Sequence, residues 1–387
     1  MEVVEGSYAV AHAVKCCRPH VISAYPITPQ THIVENLAQF VADGELECEF
    51  VPVDSEHSAM SVALGASAVG ARAYSASTSQ GLALMWEVLY NVSGMRLPVV
   101  MTAVNRALSA PLSIWNDQQD TVGARDSGWI QIYVEDIQEA HDAMIQAYRI
   151  AESREVMLPV MICMDGFILT HTYEPVVLAE QEETDDFLPP YDPEYYLTVE
   201  RPLSFGCFAE PDKFMEFRYM QHEAMERARF KIKEVADEFE KSFGRYYGDL
   251  VQGYNLDGAQ IVLVTFGSII GTMKEIVKHE KDVGILKIRS YRPFPVKEVR
   301  EALKDARVVA VVEKDFSAGF EGALFSDVKA ALYNHVSDLK LLGFVLGLGG
   351  RDIPPEDISK IIERSRVVMD QGLKEEWEFI GLRGEIL

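Results

Sequence analysis

AYPITPQTHIVENL, residues 24–37, joins an apolar run to a helical pattern with two prolines between them. His20 to Tyr25 reads as a buried strand. From Thr31 to Val41, the residues Ile33, Val34, Leu37, Phe40 and Val41 fall on one face of a helix. Read locally, Thr28 is the helix N-cap and Pro29 the first helical residue, a position that needs no N–H. Pro26 fixes a further backbone angle, so the Thr28 hydroxyl is expected on a stiff bend. A strand that turns directly into an amphipathic helix is the repeating unit of α/β proteins.

Working outward, the same unit recurs. HVISAY (20–25), CEFVPVD (48–54), ARAYSAST (71–78), LPVVMTAVN (97–105), WIQIYVED (129–136) and MLPVMICMD (157–165) are apolar runs. Helical patterns separate most of them, at 31–42, at 56–70, from Gly81 to Val92, and from Ile137 to about Glu152. This alternation predicts a doubly wound, mainly parallel sheet covered on both faces, over residues 1–173. Residues 174–255 break the rhythm with an acidic, proline-containing linker and a long charged helical arm from about Asp212 to Phe243. Phe214, Phe217, Met220, Met225 and Ile232 are expected on one face of that arm. Alternation returns over 256–387, where AQIVLVTFGS, VGILKIRSY, RVVAVVEKD and LKLLGFVLGL predict a second, smaller α/β domain.

Composition narrows the class. The 387 residues carry 36 basic and 60 acidic side chains, a formal charge of −24. That charge opposes binding to nucleic-acid phosphates. No apolar run reaches the roughly 18 residues of a membrane span, and the N-terminus does not read as a signal peptide, so a cytoplasmic setting is expected. The five cysteines contain no C-x-x-C pair, so neither an iron–sulfur set nor a zinc knuckle is expected on this chain. An odd number of cysteines without a signal peptide implies reduced thiols.

In open α/β sheets, ligands sit beyond the carboxyl ends of the strands. The polar residues placed there are Thr28, Asp54, Glu56, Ser77, Thr78, Ser79, Asn105 and Arg106. Each has an ordinary reading, as a cap, a first-turn acid or a surface ion pair. Together an arginine, a carboxylate and hydroxyls on one rim point to an anionic small molecule. Neither G-x-G-x-x-G nor a phosphate-binding G-x-x-x-x-G-K-[ST] is present. GLGGRD (347–352) reads as a turn needing positive φ. His57 and His171 read as hydrogen-bonded structural histidines, and no metal ligand is assigned.

The motifs AYPITPQT, DSEHSAM, STSQGLALMWE, MRLPVVM, NRALSAPLSIWNDQQD, RDSGWIQ and FILTHTYEPV occur in this order, followed by TFGS, YRPFPVKEVREAL, EKDFSAG and GLGGRD. The chain thereby resembles, over nearly its whole length, the α subunit of archaeal-type pyruvate:ferredoxin oxidoreductases. The resemblance implies a pyrimidine-binding domain of the thiamine-diphosphate type followed by a transketolase-C-terminal-like domain. It implies a hetero-oligomer with β, γ and δ subunits. The diphosphate, its Mg2+ and the nearest 4Fe-4S cluster would sit on the β chain, and further clusters on a ferredoxin-like chain.

It further implies that Glu56 bonds the aminopyrimidine ring nitrogen of thiamine diphosphate, favouring the imino form whose nitrogen deprotonates the thiazolium C2. Arg106 would pair with the 2-oxoacid carboxylate in bidentate fashion. Thr28 would lie beside substrate and cofactor, capping the helix and orienting the 2-oxoacid. The implied reaction joins pyruvate, coenzyme A and oxidised ferredoxin to give acetyl-CoA, carbon dioxide and reduced ferredoxin, reversibly. The 2-oxoisovalerate-specific paralogue shares fold and motifs, although SIWNDQQD is closer to the pyruvate form. A catalytically silent scaffold and a nicotinamide-dependent dehydrogenase are rivals of other classes; retained Thr28, Glu56 and Arg106 oppose the first, and the missing glycine fingerprint opposes the second.

Overall fold

A computed structural model describes residues 1–336 and 338–384. In chain order the strands are β1 (Glu2–Glu5), β2 (Val21–Ala24), β3 (Glu49–Pro52), β4 (Ala73–Ser77), β5 (Val100–Asn105), β6 (Ile130–Tyr133), β7 (Val160–Asp165) and β8 (Tyr173–Val176). They continue with β9 (Val251–Tyr254), β10 (Ile261–Thr265), β11 (Val283–Ile288), β12 (Ser290–Arg292), β13 (Val308–Glu313), β14 (Lys340–Val345) and β15 (Trp377–Phe379).

The first sheet has seven strands in the order β12-β6-β7-β5-β4-β2-β3. All its pairings are parallel except β12 against β6. Every residue of β5 and β7 is buried, which is why both read as unbroken apolar runs; a parallel strand with both faces covered has no solvent side. On one face, the helices Gly6–Cys16, Thr31–Ala42 and Ile137–Ala151 close a core with Val10, Val14, Ile33, Leu37, Ile132 and Ile162. On the other face lie the helices Glu56–Ala68 and Trp86–Gly94. The helix expected from Gly81 to Val92 is two helices, Ser79–Leu84 and Trp86–Gly94, meeting at Met85.

The second sheet has six strands, β15-β14-β13-β10-β11-β9, with only β9 antiparallel. One hydrophobic cluster runs through both sheets, joining Met101, Tyr133 and Cys163 to Phe266, Leu286, Tyr291 and Val311. The run VGILKIRSY, expected as one strand, divides at Arg289 into strands of different sheets. Buried Arg289 anchors the division, donating from Nε to Glu139 Oε1 at 3.1 Å and from Nη2 to Gln146 Oε1 at 3.0 Å.

The helical arm runs from Phe214 to Phe243, but its buried face is not the expected one. Gln221, Ala224, Ala228, Ile232, Val235, Ala236 and Phe239 are buried, whereas Phe214, Phe217 and Met220 are exposed. Alanines let this helix approach the helix Ile137–Ala151 closely, and the large residues at its N-terminal end lie beyond that contact. Among the described residues no helix is long and apolar enough to cross a membrane.

Candidate active site

The carboxyl ends of β2, β3, β4 and β5 share one edge of the first sheet, as parallel pairing requires. Thr28 lies in the turn after β2. That turn corrects one expectation: Thr28 is not the cap of the next helix, which begins at Thr31 with Gln30 in the cap position. The cause is the buried Gln30 side chain. Its Oε1 accepts from Ile27 N at 3.2 Å, and its Nε2 donates to Ala76 O at 2.9 Å, so the turn closes on itself before the helix starts. Thr28 is left exposed, and its carbonyl accepts from Arg106 Nη1 at 2.7 Å.

Glu56 opens the helix Glu56–Ala68, whose N-cap Ser55 accepts from Ser58 N at 3.2 Å. Glu56 is only 6 % exposed, yet among the described residues its carboxylate accepts no hydrogen bond. It lies over Gly81, where an added Cβ would fall 2.6 Å from both Glu56 Oε1 and Ser77 Oγ. The buried hydroxyls of Ser77 and Thr78 likewise have no partner. Asp54, beside them in sequence, is exposed and holds Ser58 Oγ at 2.7 Å.

Arg106 follows β5. Its Nε donates to Ser113 O at 3.0 Å and its Nη1 to Thr28 O, while Nη2 donates to no described residue. Burial disfavours its protonated form, opposed by the carboxylates of Asp120 and Glu56, so Glu56 stands close enough to act on the guanidinium charge. The structure thus brings Thr28, Glu56 and Arg106 to one rim.

Asp120 was not among the expected residues. It accepts from Ser79 N, Arg106 N and Asn105 Nδ2 at 2.9, 3.1 and 2.9 Å, tying β4 to β5 at the rim. Burial pushes its carboxyl up to about 7 against these donors. Asp165, at the end of β7, was also passed over. It accepts from Lys314 Nζ at 2.7 Å, Gln118 Nε2 at 3.0 Å and Ser268 N at 2.9 Å, and Lys314 is the leading influence holding it below the ordinary carboxylate value despite burial. Applying the end-of-strand rule to the sixth run finds Asp165; Asp120 stands in the short helix Gln119–Gly123, too brief to carry a periodic signal. Beside Lys314 a cleft of about 390 Å3 opens between the two sheets, lined in part by Trp115, Phe167, Ser268 and Arg351.

Residues 12–237 match the family model described as pyruvate flavodoxin/ferredoxin oxidoreductase, thiamine diphosphate-binding. The chain belongs to the pyruvate flavodoxin/ferredoxin oxidoreductase family. Residues 259–358 of this oxidoreductase-family chain match pyruvate:ferredoxin oxidoreductase core domain II. It is 57 % identical to pyruvate synthase subunit PorA of Methanosarcina barkeri, covering 100 % of this chain and 98 % of that one. Ketoisovalerate oxidoreductase subunit VorA of Pyrococcus abyssi is 44 % identical over 96 % of this chain and 95 % of its own.

Two solved structures share the fold. One is the 2-oxoglutarate:ferredoxin oxidoreductase from Magnetococcus marinus with 2-oxoglutarate, coenzyme A and succinyl-CoA bound. Its TM-score is 0.71 at 21 % identity, covering 94 % of this chain and 65 % of that one. The other, a split-gene transketolase, matches at TM-score 0.55 and 12 % identity, covering 93 % and 96 %. The expected fold class, a thiamine-diphosphate-type α/β domain followed by a transketolase-like one, therefore holds.

The family's cofactor fits the residues present. Among the described residues, a nearly buried carboxylate that accepts no hydrogen bond, two buried hydroxyls with no partner and a glycine whose added Cβ would crowd Glu56 and Ser77 suit the flat, nitrogen-bearing edge of an aminopyrimidine.

Proposed function

We propose that this chain is the α subunit of a pyruvate synthase, acting in a complex with β, γ and δ subunits and ferredoxin. Pyruvate and coenzyme A give acetyl-CoA and carbon dioxide, while two electrons pass to oxidised ferredoxin and one proton is released. The observation that carries the reading is Glu56, 6 % exposed over Gly81, whose carboxylate accepts no hydrogen bond among the described residues and lies on the same rim as Arg106.

In this reading Glu56 holds the pyrimidine ring nitrogen of thiamine diphosphate and sets its proton distribution, with Ser77 and Thr78 at the same edge. Bound thiamine diphosphate supplies the nucleophilic carbon and the electron sink for decarboxylation. Arg106 receives the substrate carboxylate through Nη2 rather than through the expected bidentate fork, because Nε and Nη1 are already held by Ser113 O and Thr28 O. Those two bonds fix the guanidinium before substrate arrives, which lowers the ordering cost of binding. Thr28, its hydroxyl unneeded for capping, orients the 2-oxoacid. The cofactor diphosphate, Mg2+ and the 4Fe-4S clusters belong to the partner chains, in keeping with the absence of C-x-x-C and phosphate-loop motifs from this sequence.

The test compares viologen dye reduction by the complex, supplied with thiamine diphosphate, Mg2+ and coenzyme A, on pyruvate and on 2-oxoisovalerate. Faster turnover of pyruvate, lost in Glu56→Gln, is expected. Preference for 2-oxoisovalerate would transfer the chain to the branched-chain enzyme. Undiminished turnover in Glu56→Gln would remove Glu56 from the chemistry.

A further inference from the structure

We propose that Glu5, His32 and His171 bind one divalent transition-metal ion of the zinc class, at a site separate from the rim described above. One ligand atom from each of the three residues lies within 4.8 Å of the others. Three distant segments supply them, and backbone bonds bring two of these together. Glu5 ends β1 opposite Tyr173 of β8, and Gly6 N and Ser7 N donate to Thr172 O and Thr170 O at 3.2 and 3.0 Å. His171 is thereby carried alongside Glu5. His32, in the first turn of the helix Thr31–Ala42, completes the group. Its Nδ1 lies 2.8 Å from Glu5 Oε1, and its ring centroid lies 4.6 Å from that of His171.

The donor set decides the class of ion. Two imidazoles and one carboxylate suit Zn2+ and its first-row neighbours, whereas Mg2+ and Ca2+ take oxygen ligands. Three protein ligands leave a position for water, as in open zinc sites. Thr170 Oγ1 holds His171 Nδ1 at 2.7 Å and itself accepts from Phe167 N at 2.9 Å. That is the outer-shell contact by which a protein orients a metal-binding imidazole, and it leaves Nε2 to the ion.

His32 is 44 % exposed in its side chain and Glu5 16 %, so solvent reaches the group and His32 can rotate. Such a rotation closes the cluster to the spacing of about 3.3 Å that ligands at zinc bond lengths adopt. Binding replaces the His32–Glu5 hydrogen bond with two metal bonds. The ion then fastens the first strand to the helix that follows the Thr28 turn and to the loop beyond Asp165.

The full chain, stripped with a chelator, is titrated with Zn2+ by calorimetry, and the zinc complex is read by X-ray absorption. One ion per chain with nitrogen and oxygen ligands alone is expected. The paired substitutions His32→Gln and His171→Gln are expected to weaken binding at least 100-fold and to abolish the rise in melting temperature that zinc produces. Sulfur in the zinc shell, no binding, or unchanged affinity in the double variant would overturn the proposal. The absorption measurement needs no variant, so misfolding of the double variant would not shield it.

Discussion

Among the described residues Glu56 accepts no hydrogen bond though it is nearly buried, and that arrangement makes its removal legible. A carboxylate with no partner in its own chain contributes little to folding, so Glu56→Gln is expected to leave the melting temperature nearly unchanged. Turnover should fall by about 10²–10⁴-fold, the usual range for losing a group that governs proton transfer. Gly81→Ala tests the same contact from beneath. Its Cβ would meet Glu56 Oε1 and Ser77 Oγ at 2.6 Å, so it must displace one or both. At least a tenfold loss of thiamine diphosphate affinity is expected by titration of the complex, and unchanged affinity would show that the pyrimidine lies elsewhere. Arg106 was reachable from sequence because it follows the fully buried β5, and Glu56 because it opens a helix just after the run CEFVPVD, although β3 itself spans only four residues. Asp120 was not, since its hold on Ser79 N and Arg106 N depends on how the segment after β5 brings the short helix Gln119–Gly123 back across two strands.

At the scale of the element, the Thr28 turn separates two roles that local sequence had merged. Gln30→Ala strands Ile27 N and Ala76 O, and a loss of about 1–3 kcal/mol in urea unfolding is expected. Thr28→Val removes no cap and should cost almost no stability while lowering activity. The helix Ala323–Leu332 makes a second case. Two buried carboxylates meet its N-terminus: Glu313 accepts from Leu324 N at 2.7 Å and Phe325 N at 3.2 Å, and Asp315 accepts from Ala323 N at 3.3 Å.

Burial pushes Asp315 up to about 7 and Glu313 well above its ordinary value, and Asp315 Oδ2 has no partner. The sign follows directly. A raised folded-state pKa gives stability that is complete below the unfolded value, about 3.8, and is lost as pH rises through about 7. The melting temperature should therefore fall by a few degrees between about pH 4 and about pH 7, and Asp315→Asn should lessen that slope, to which Asp120 also contributes; an equal slope in the variant would assign it to other groups. Long buried strands announce themselves by continuous apolar sequence, whereas β1 and β8 are short pieces with no run to find and β12 is hidden at the end of the run that forms β11.

Across the whole molecule the two sheets meet through Lys314, which follows β13, and Asp165, which ends β7. Lys314→Met would leave a buried anion without its cation, and a destabilisation of about 3–5 kcal/mol in denaturant unfolding is expected. A loss below about 1 kcal/mol would mean that Ser268, Asn116 and Gln118 suffice for Asp165. No sequence pattern joins these residues, because 149 positions separate the pair. The chain from Val283 to Arg292 makes the union structural, serving one sheet with β11 and the other with β12. This has a meaning for recombination between relatives. A crossover in the exposed linker would hand the first sheet a foreign edge strand, fitted to another parent's β6. A crossover just after Arg292 keeps that edge with its own sheet but divides β10 and β11 from β13. Chimeras joined at either seam should therefore lose stability in proportion to the divergence of their parents, and libraries built from this family do best to inherit both domains from one parent.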